Sequence, residues 1–278
     1  MLSAVLFTAV FPCLVVALLL LGTLSVEPTS ESRAPRFAGA FGAFAVGSAY
    51  LIGLPGIRGA MPDAFPTDVT DWPWALLPLA IVMGVVDSFS GNYAIRWVLR
   101  LALVALTLGL VGGPALENSL LPGGWLQLFV MGLAVITYLW LLDGPQATDR
   151  TPTDLAGMTL AVGGTAAVIV LAESASLGQL CAVVAVALGA CWALTLANSR
   201  LHPGKGLTPV LALTHGMLIV AATLYASLPP FAALVLAFTP FPIWLGRSGS
   251  LSHLEGFKRP AAVLAGVGFL ISVSAAIT

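Results

Sequence analysis

The sequence predicts an all-α fold: a polytopic integral membrane protein of about ten transmembrane helices with both termini outside. Three observations lead there. First, the 278-residue chain is 59% hydrophobic and only 8% charged, with a mean hydropathy of +1.01. A soluble domain carries roughly 25% charged residues, so the solvent of this chain is mostly lipid. Second, apolar stretches recur at the length of about 20 residues that crosses a bilayer as a helix. Third, the basic residues fall on alternate connections between those stretches, the pattern that orients membrane helices. Backbone groups cannot stay unpaired in hydrocarbon, so helices are the default spanning element. The alternating strands of a membrane barrel do not occur in the sequence.

The first span is 3–24. Its opening, "MLSAVLFTAVFPCLVVALLLLGTL", lacks the basic start and small-residue cleavage site of a signal peptide, which predicts a retained helix. The second is 37–56, and its "FAGAFGAFAVGSAYLIG" supplies the small residues that let membrane helices approach closely. Trp72 and Trp74 mark an interface before the third span, 73–90, as expected of an aromatic belt. Spans 94–113 and 123–143 follow on length and apolarity. Span 155–173 repeats the small-residue composition in "LAGMTLAVGGTAAV". Span 177–197 contains Cys181 and Cys191, which, like Cys13, read as small buried hydrophobes. Span 207–227 carries His215 in "LALTHGMLIV". In span 230–246, the prolines of "LPPFAALVLAFTPFPIWLG" are expected to bend or break the helix, because proline removes an internal hydrogen bond. The last span is 260–277. No polar stretch is long enough to bury a core of its own, so residues 1–278 read as a single transmembrane domain.

Connections after odd-numbered spans hold Arg33, Arg36, Arg96, Arg100, Arg150, Arg200, Lys205, Arg247, Lys258 and Arg259, leaving Arg58 alone of the eleven basic residues on the other side. That asymmetry places five connections in the cytoplasm. The net charge of −1 argues against nucleic acid as a partner. Inside the spans titratable groups are scarce. Glu117 and Glu173 fall near outer helix ends, and His215 is the only deeply placed one. A neutral histidine hydrogen-bonded to a neighbouring helix is the expected state of His215. The other polar groups gather on the cytoplasmic side. They include Asp87, Ser88, Asn92, Arg96 and Arg100; Asp143, Asp149, Arg150 and Asp154; Asn198, Arg200, His202 and Lys205; and Arg247, His253, Glu255, Lys258 and Arg259. Arginines hold phosphate oxygens, and carboxylates bind Mg²⁺ or take a proton, so a reaction on a lipid-linked phosphate would use such a set. Ordinary solvated positive-inside loops would carry it too.

The order of these residues resembles the polyprenyl-phosphate N-acetylhexosamine-1-phosphate transferases, the family that includes phospho-N-acetylmuramoyl-pentapeptide transferase. "APRFAGAFGAFAVG" (34–47) is similar to the family's Pro-Arg-x-Gly-Gly opening of the second helix, with Ala38 replacing a glycine. "MGVVDSFSGNYAIRWVLRLALVAL" (83–106) is similar to the Gly-x-x-Asp-Asp segment, with Asp87 in the first aspartate's place and Ser88 in the second's. In "TYLWLLDGPQATDRTPTDLAG" (137–157), Asp143 and Gly144 match an Asn-x-x-Asn-x-x-Asp-Gly-x-Asp-Gly motif, while Thr137, Trp140 and Gln146 depart from it. "NSRLHPGKGLTPVLALTHG" (198–216) keeps Asn198 and Gly206, but Leu207 stands where the metal-ligating aspartate belongs. "GRSGSLSHLEGFKRP" (246–260) keeps Arg247 and His253 of a loop ending in His-x-His-His.

The resemblance implies a ten-helix fold with a cytoplasmic active site, Asp87, Asp143 and His253 as catalytic residues, and Arg36, Asn198 and Arg247 as substrate-binding ones. It implies a UDP-sugar and a polyprenyl phosphate as substrates, with Mg²⁺ as cofactor if the protein is active; the sequence assigns no metal ligands. Phosphoryl transfer depends on positioning and electrostatic stabilisation, and the departures remove much of that. The expectation is therefore a degenerate member of the inner membrane that binds a lipid phosphate or a partner, as a homodimer or within an envelope-building complex. A small-solute transporter and a structural subunit of a membrane complex are the alternatives.

Overall fold

The computed structural model describes residues 9–24, 34–63, 66, 68, 71–117, 124–143, 151–198, 204–248, 251, 254 and 257–278. Their secondary structure is entirely helical. The helices are α1 (Phe11–Leu24), α2 (Ala34–Arg58), α3 (Trp72–Phe89), α4 (Tyr93–Glu117), α5 (Gly124–Asp143), α6 (Pro152–Leu171) and α7 (Ala175–Ala197). Then come α8 (Leu207–Leu211), a π-helical turn (Ala212–Gly216), α9 (Met217–Tyr225), α10 (Pro230–Ala237), α11 (Phe241–Arg247) and α12 (Lys258–Ile277). Nine segments of the described residues are long and apolar enough to cross a membrane. They are α2 to α7, the α8–π–α9 unit, the α10–α11 pair and α12. The described part of α1, 14 residues, coincides with the first expected span from residue 11 onward. The chain is thus a multi-pass membrane protein, as the spacing of apolar stretches predicts.

Successive spans alternate in direction. At one end Arg58 Nη1 pairs with Asp71 at 2.6 Å and Asp68 at 3.6 Å. At that same end the Tyr225 hydroxyl donates to the Val111 carbonyl at 2.6 Å, and the Ser227 amide to the Ala172 carbonyl at 3.3 Å. Arg100 lies at the opposite end. The eighth span is buried along its whole length and forms the axis of the bundle, whereas only 17% of α12 is buried. Pro209 falls in the first turn of α8, where its missing N–H has no intrahelical partner to lose. The Thr214 hydroxyl donates back to the Val210 carbonyl at 2.8 Å. Such back-bonding loosens the ladder, and it accompanies the widened turn at Ala212–Gly216.

The ninth span breaks as the prolines predict. α10 ends at Ala237, residues 238–240 turn, and α11 begins with Pro240 at its cap and Pro242 in its first turn. Neither proline can donate the amide that would continue α10.

Close approach is most severe where α2, α3 and the start of α8 cross. A Cβ on Gly206 would collide with the Gly39 carbonyl oxygen, and one on Gly84 with the Gly206 carbonyl oxygen. Backbone meets backbone there, the packing that small residues permit. Gly206→Ala and Gly84→Ala should each cost ~1–3 kcal/mol from overpacking. Gly109, with nothing within 4 Å of such a Cβ, should accept alanine without loss. Thermal unfolding of the three variants in detergent checks this.

Candidate functional site

The polar end is built around the short connection from α3 to α4. Asn92 Oδ1 accepts the amides of Ala94 at 3.0 Å and Ile95 at 3.3 Å, satisfying first-turn donors of α4. Asn92 is therefore a helix cap. Capping starts α4 so that Arg96 and Arg100, one helical turn apart, share a face. Arg100 points inward: its Nε donates to Asp87 Oδ2 at 2.7 Å, and its Nη2 donates to Asp143 Oδ1 at 3.1 Å. Nη1 lies 2.9 Å from Asp143 Oδ2. One guanidinium thus grips two carboxylates, on α3 and on the last residue of α5. Arginine's planar fork of five donors is suited to this. All three side chains are buried.

Two more cations stand close by. Arg96 is 6% exposed, and its guanidinium lies 5.6 Å from the centre of the Tyr93 ring. Its Nε and Nη1 have no hydrogen-bond acceptor among the described residues. The indole N–H of Trp97, the next residue, also lacks one there. Burial pulls the Lys205 amine below its ordinary value; Arg96 and Arg100 push the same way, and Asp143 and Asp87 oppose them. Among the described residues, two carboxylates against three cations leave this cluster with one surplus positive charge. On the far side of Asp143, Arg247 Nη1 donates to the Leu142 carbonyl at 3.3 Å, one of the last-turn carbonyls without an intrahelical partner. Arg247 Nε sits 3.1 Å from Asp154 Oδ2.

The structure brings Asp87 and Asp143 together on Arg100. Arg247 stands beside them through Leu142. Asn198 caps the end of α7. Arg36 is exposed in the first turn of α2, and no ion pair among the described residues ties it to the cluster. His253 lies outside the described residues, as do Arg33, Asp149, Arg150, Arg200, His202 and Glu255. Ser88 donates to the Gly84 carbonyl at 2.8 Å and abuts the glycine crossing, where a Cβ on Gly206 or Gly39 would meet its Oγ. A carboxylate at position 88 would have to enter space already closed to a methyl group.

The described residues do not form a Mg²⁺ site. Asp87 and Asp143 are both held by Arg100, Leu207 is buried, and no group of three ligand-bearing side chains occurs among the described residues.

Deep in the bundle, His215 Nδ1 meets the Tyr138 hydroxyl at 2.7 Å and Nε2 meets Thr165 Oγ1 at 2.9 Å. The Thr165 hydroxyl proton goes to the Ala161 carbonyl at 2.8 Å, so Nε2 carries the ring proton and Nδ1 accepts from Tyr138. This is the neutral, hydrogen-bonded histidine that the sequence predicts. Nothing in the sequence pointed to residues 77 and 50 positions away as its partners. The role of Arg100 was equally hidden, since Arg96 and Arg100 look alike in the sequence.

Compared with protein-family models, curated proteins and solved structures, the chain matches none.

Arg100→Gln strands two buried carboxylates and should destabilise the protein by ~3–5 kcal/mol. Adding Asp87→Asn and Asp143→Asn to it should recover much of that loss, as read by thermal unfolding. Thr165→Val should cost ~1–3 kcal/mol by leaving the ring N–H of His215 unpaired.

Proposed function

We propose that the Arg100 end faces the cytoplasm of an inner membrane, with both termini outside, and that it binds a phosphate-bearing lipid such as polyprenyl phosphate without turning it over. Arg96 carries this reading. A guanidinium that is almost wholly buried and lacks acceptors on two nitrogens is costly to keep, unless an oxyanion supplies what the protein withholds. The surplus positive charge beside it and the unpaired indole N–H of Trp97 favour the same kind of guest. Charge-assisted bonds from arginine to phosphate are among the stronger ones available.

The Arg100 bridge argues for lost catalysis. A carboxylate that neutralises an arginine is a poor metal ligand and a poor base, because either role would break a buried pair. On this reading the chain is a degenerate relative of the sugar-1-phosphate transferases, and a UDP-sugar is at most a second ligand of the same end. Transport through the bundle has less support: both ring nitrogens of His215 are already engaged.

The experiment is native mass spectrometry of the purified protein with undecaprenyl phosphate, alongside thermal unfolding. Arg96→Gln should lose lipid-phosphate binding and, in the absence of lipid, melt at or above the wild-type temperature, the trade expected of a residue kept for function. Unchanged binding in Arg96→Gln would overturn the reading. With UDP-N-acetylglucosamine, undecaprenyl phosphate and Mg²⁺ the wild type should release no UMP; release abolished by Asp87→Asn would restore catalysis to the account.

A further inference from the structure

A polar cavity lies at the same end of the bundle, where α6 and α12 begin and α11 finishes. It has a volume of about 120 Å³ and is lined by Thr151, Thr153, Asp154, Gly246, Arg259 and Val263. We propose that it is a headgroup site for an anionic bilayer phospholipid, taking the lipid's phosphate diester between the first turns of α6 and α12. It shares no residue with the Arg96 cluster, and its chemistry does not require that cluster to bind anything.

The cavity is built to donate hydrogen bonds. Thr151 and Asp154 form a reciprocal cap. Thr151 Oγ1 accepts the Asp154 amide at 3.3 Å, and Asp154 Oδ2 accepts the Thr151 amide at 2.8 Å. Oδ2 also faces Arg247 Nε at 3.1 Å. The one carboxylate in the lining is therefore neutralised, while the Thr151 hydroxyl keeps its own proton for a guest. Thr153 adds a second hydroxyl, and its first-turn amide has no intrahelical acceptor. Arg259 lines the wall. Arg247 is 6% exposed, and behind the Asp154 pair its Nη2 has no acceptor among the described residues. Among the described residues here, Arg247 and Arg259 exceed Asp154 by one positive charge.

Size and position select the guest. A cavity of this volume is well below the ~300 Å³ at which pockets for drug-sized molecules begin, so it excludes a nucleotide sugar and admits a phosphate with its immediate ester groups. It opens at the ends of spans, where headgroups lie, and basic pockets between transmembrane helices bind such headgroups. α12 is the least buried of the nine spans, with Phe257 84% and Phe269 67% exposed, and offers acyl chains a surface to follow. A phosphate held by Arg259 and the two threonines would tie this outermost span to α6.

The test uses the full-length protein in detergent, titrated with phosphatidylglycerol, with phosphatidylcholine, or with inorganic phosphate. Phosphatidylglycerol should be retained in native mass spectrometry and should raise the melting temperature; phosphatidylcholine and inorganic phosphate should do neither. Arg259→Gln should lower phosphatidylglycerol occupancy about five-fold, the effect of one basic side chain near an anionic surface, and abolish the thermal shift. Arg259→Gln should have the same effect in an Arg96→Gln background, so this site and the lipid-phosphate site fail independently. Thr153→Val, which removes a single hydroxyl, should also weaken retention and gives the answer if Arg259→Gln does not fold. Equal retention of phosphatidylcholine, full retention in Arg259→Gln or in Thr153→Val, or a thermal shift produced by inorganic phosphate alone would overturn the proposal.

Discussion

A charge in hydrocarbon must be neutralised or carried to water, and the architecture of this protein follows from how it meets that demand. Arg100 is the clearest case. It is buried, it cannot lose its proton, and it sits between three spans. Asp87 on α3 and Asp143 on α5 neutralise it from two sides, so one guanidinium fixes the relative positions of α3, α4 and α5. The two carboxylates would be costly without it, and it would be costly without them. Removing one partner of such a set is far more damaging than never having built it. The polar cluster is therefore as much a structural joint as a candidate site, and the joint limits what chemistry its carboxylates can perform.

The rest of the interior obeys the same constraint with neutral groups. His215 sits on the central span, and its ring nitrogens, Tyr138 and Thr165 satisfy one another. Thr107, Thr195 and Thr223 bond back to the carbonyl four residues before them, the local solution open to a hydroxyl in a membrane helix. Glycines bring backbones together at Gly39, Gly84 and Gly206, with the Ser88 hydroxyl beside the crossing. Among the described residues the exceptions to this background of satisfied groups are Arg96, Tyr50, Trp97, Trp244 and Arg247, whose buried polar atoms include some without a hydrogen-bond partner. The unmet donors of Arg96 lie in the first turn of α4, at the Arg100 end of the bundle.

The spans were legible in the sequence because hydrocarbon thickness fixes their length and leaves little else to decide. Helix bounds agree within a few residues along most of the chain. The break in the ninth span was legible too, since Pro240 and Pro242 act on the backbone locally. The gathering of charge at one end could be read from alternation alone. The pairings could not. Which of Arg96 and Arg100, on one face of α4, meets Asp87 and Asp143 depends on where along α4 the ends of α3 and α5 fall, which packing sets. The π turn at Ala212–Gly216 has no sequence signature beyond Thr214, and the partners of His215 come from α5 and α6 through packing. Asn92, grouped with the polar residues of a possible site, proved to be a cap. The cavity at Thr151, Thr153 and Arg259 joins residues more than a hundred positions apart and was invisible until α12 was placed against α6.

The central claim is that the end carrying Arg100 meets the cytoplasm. The most direct measurement is thiol labelling of single-cysteine variants in intact cells, with Cys13, Cys181 and Cys191 replaced. A membrane-impermeant reagent should miss a cysteine introduced as Ser90→Cys, in the connection beside Asp87, until the cells are opened. It should label Ala60→Cys, next to Arg58, from outside. Labelling of position 90 in sealed cells, with position 60 protected, would invert the bundle and contradict the account.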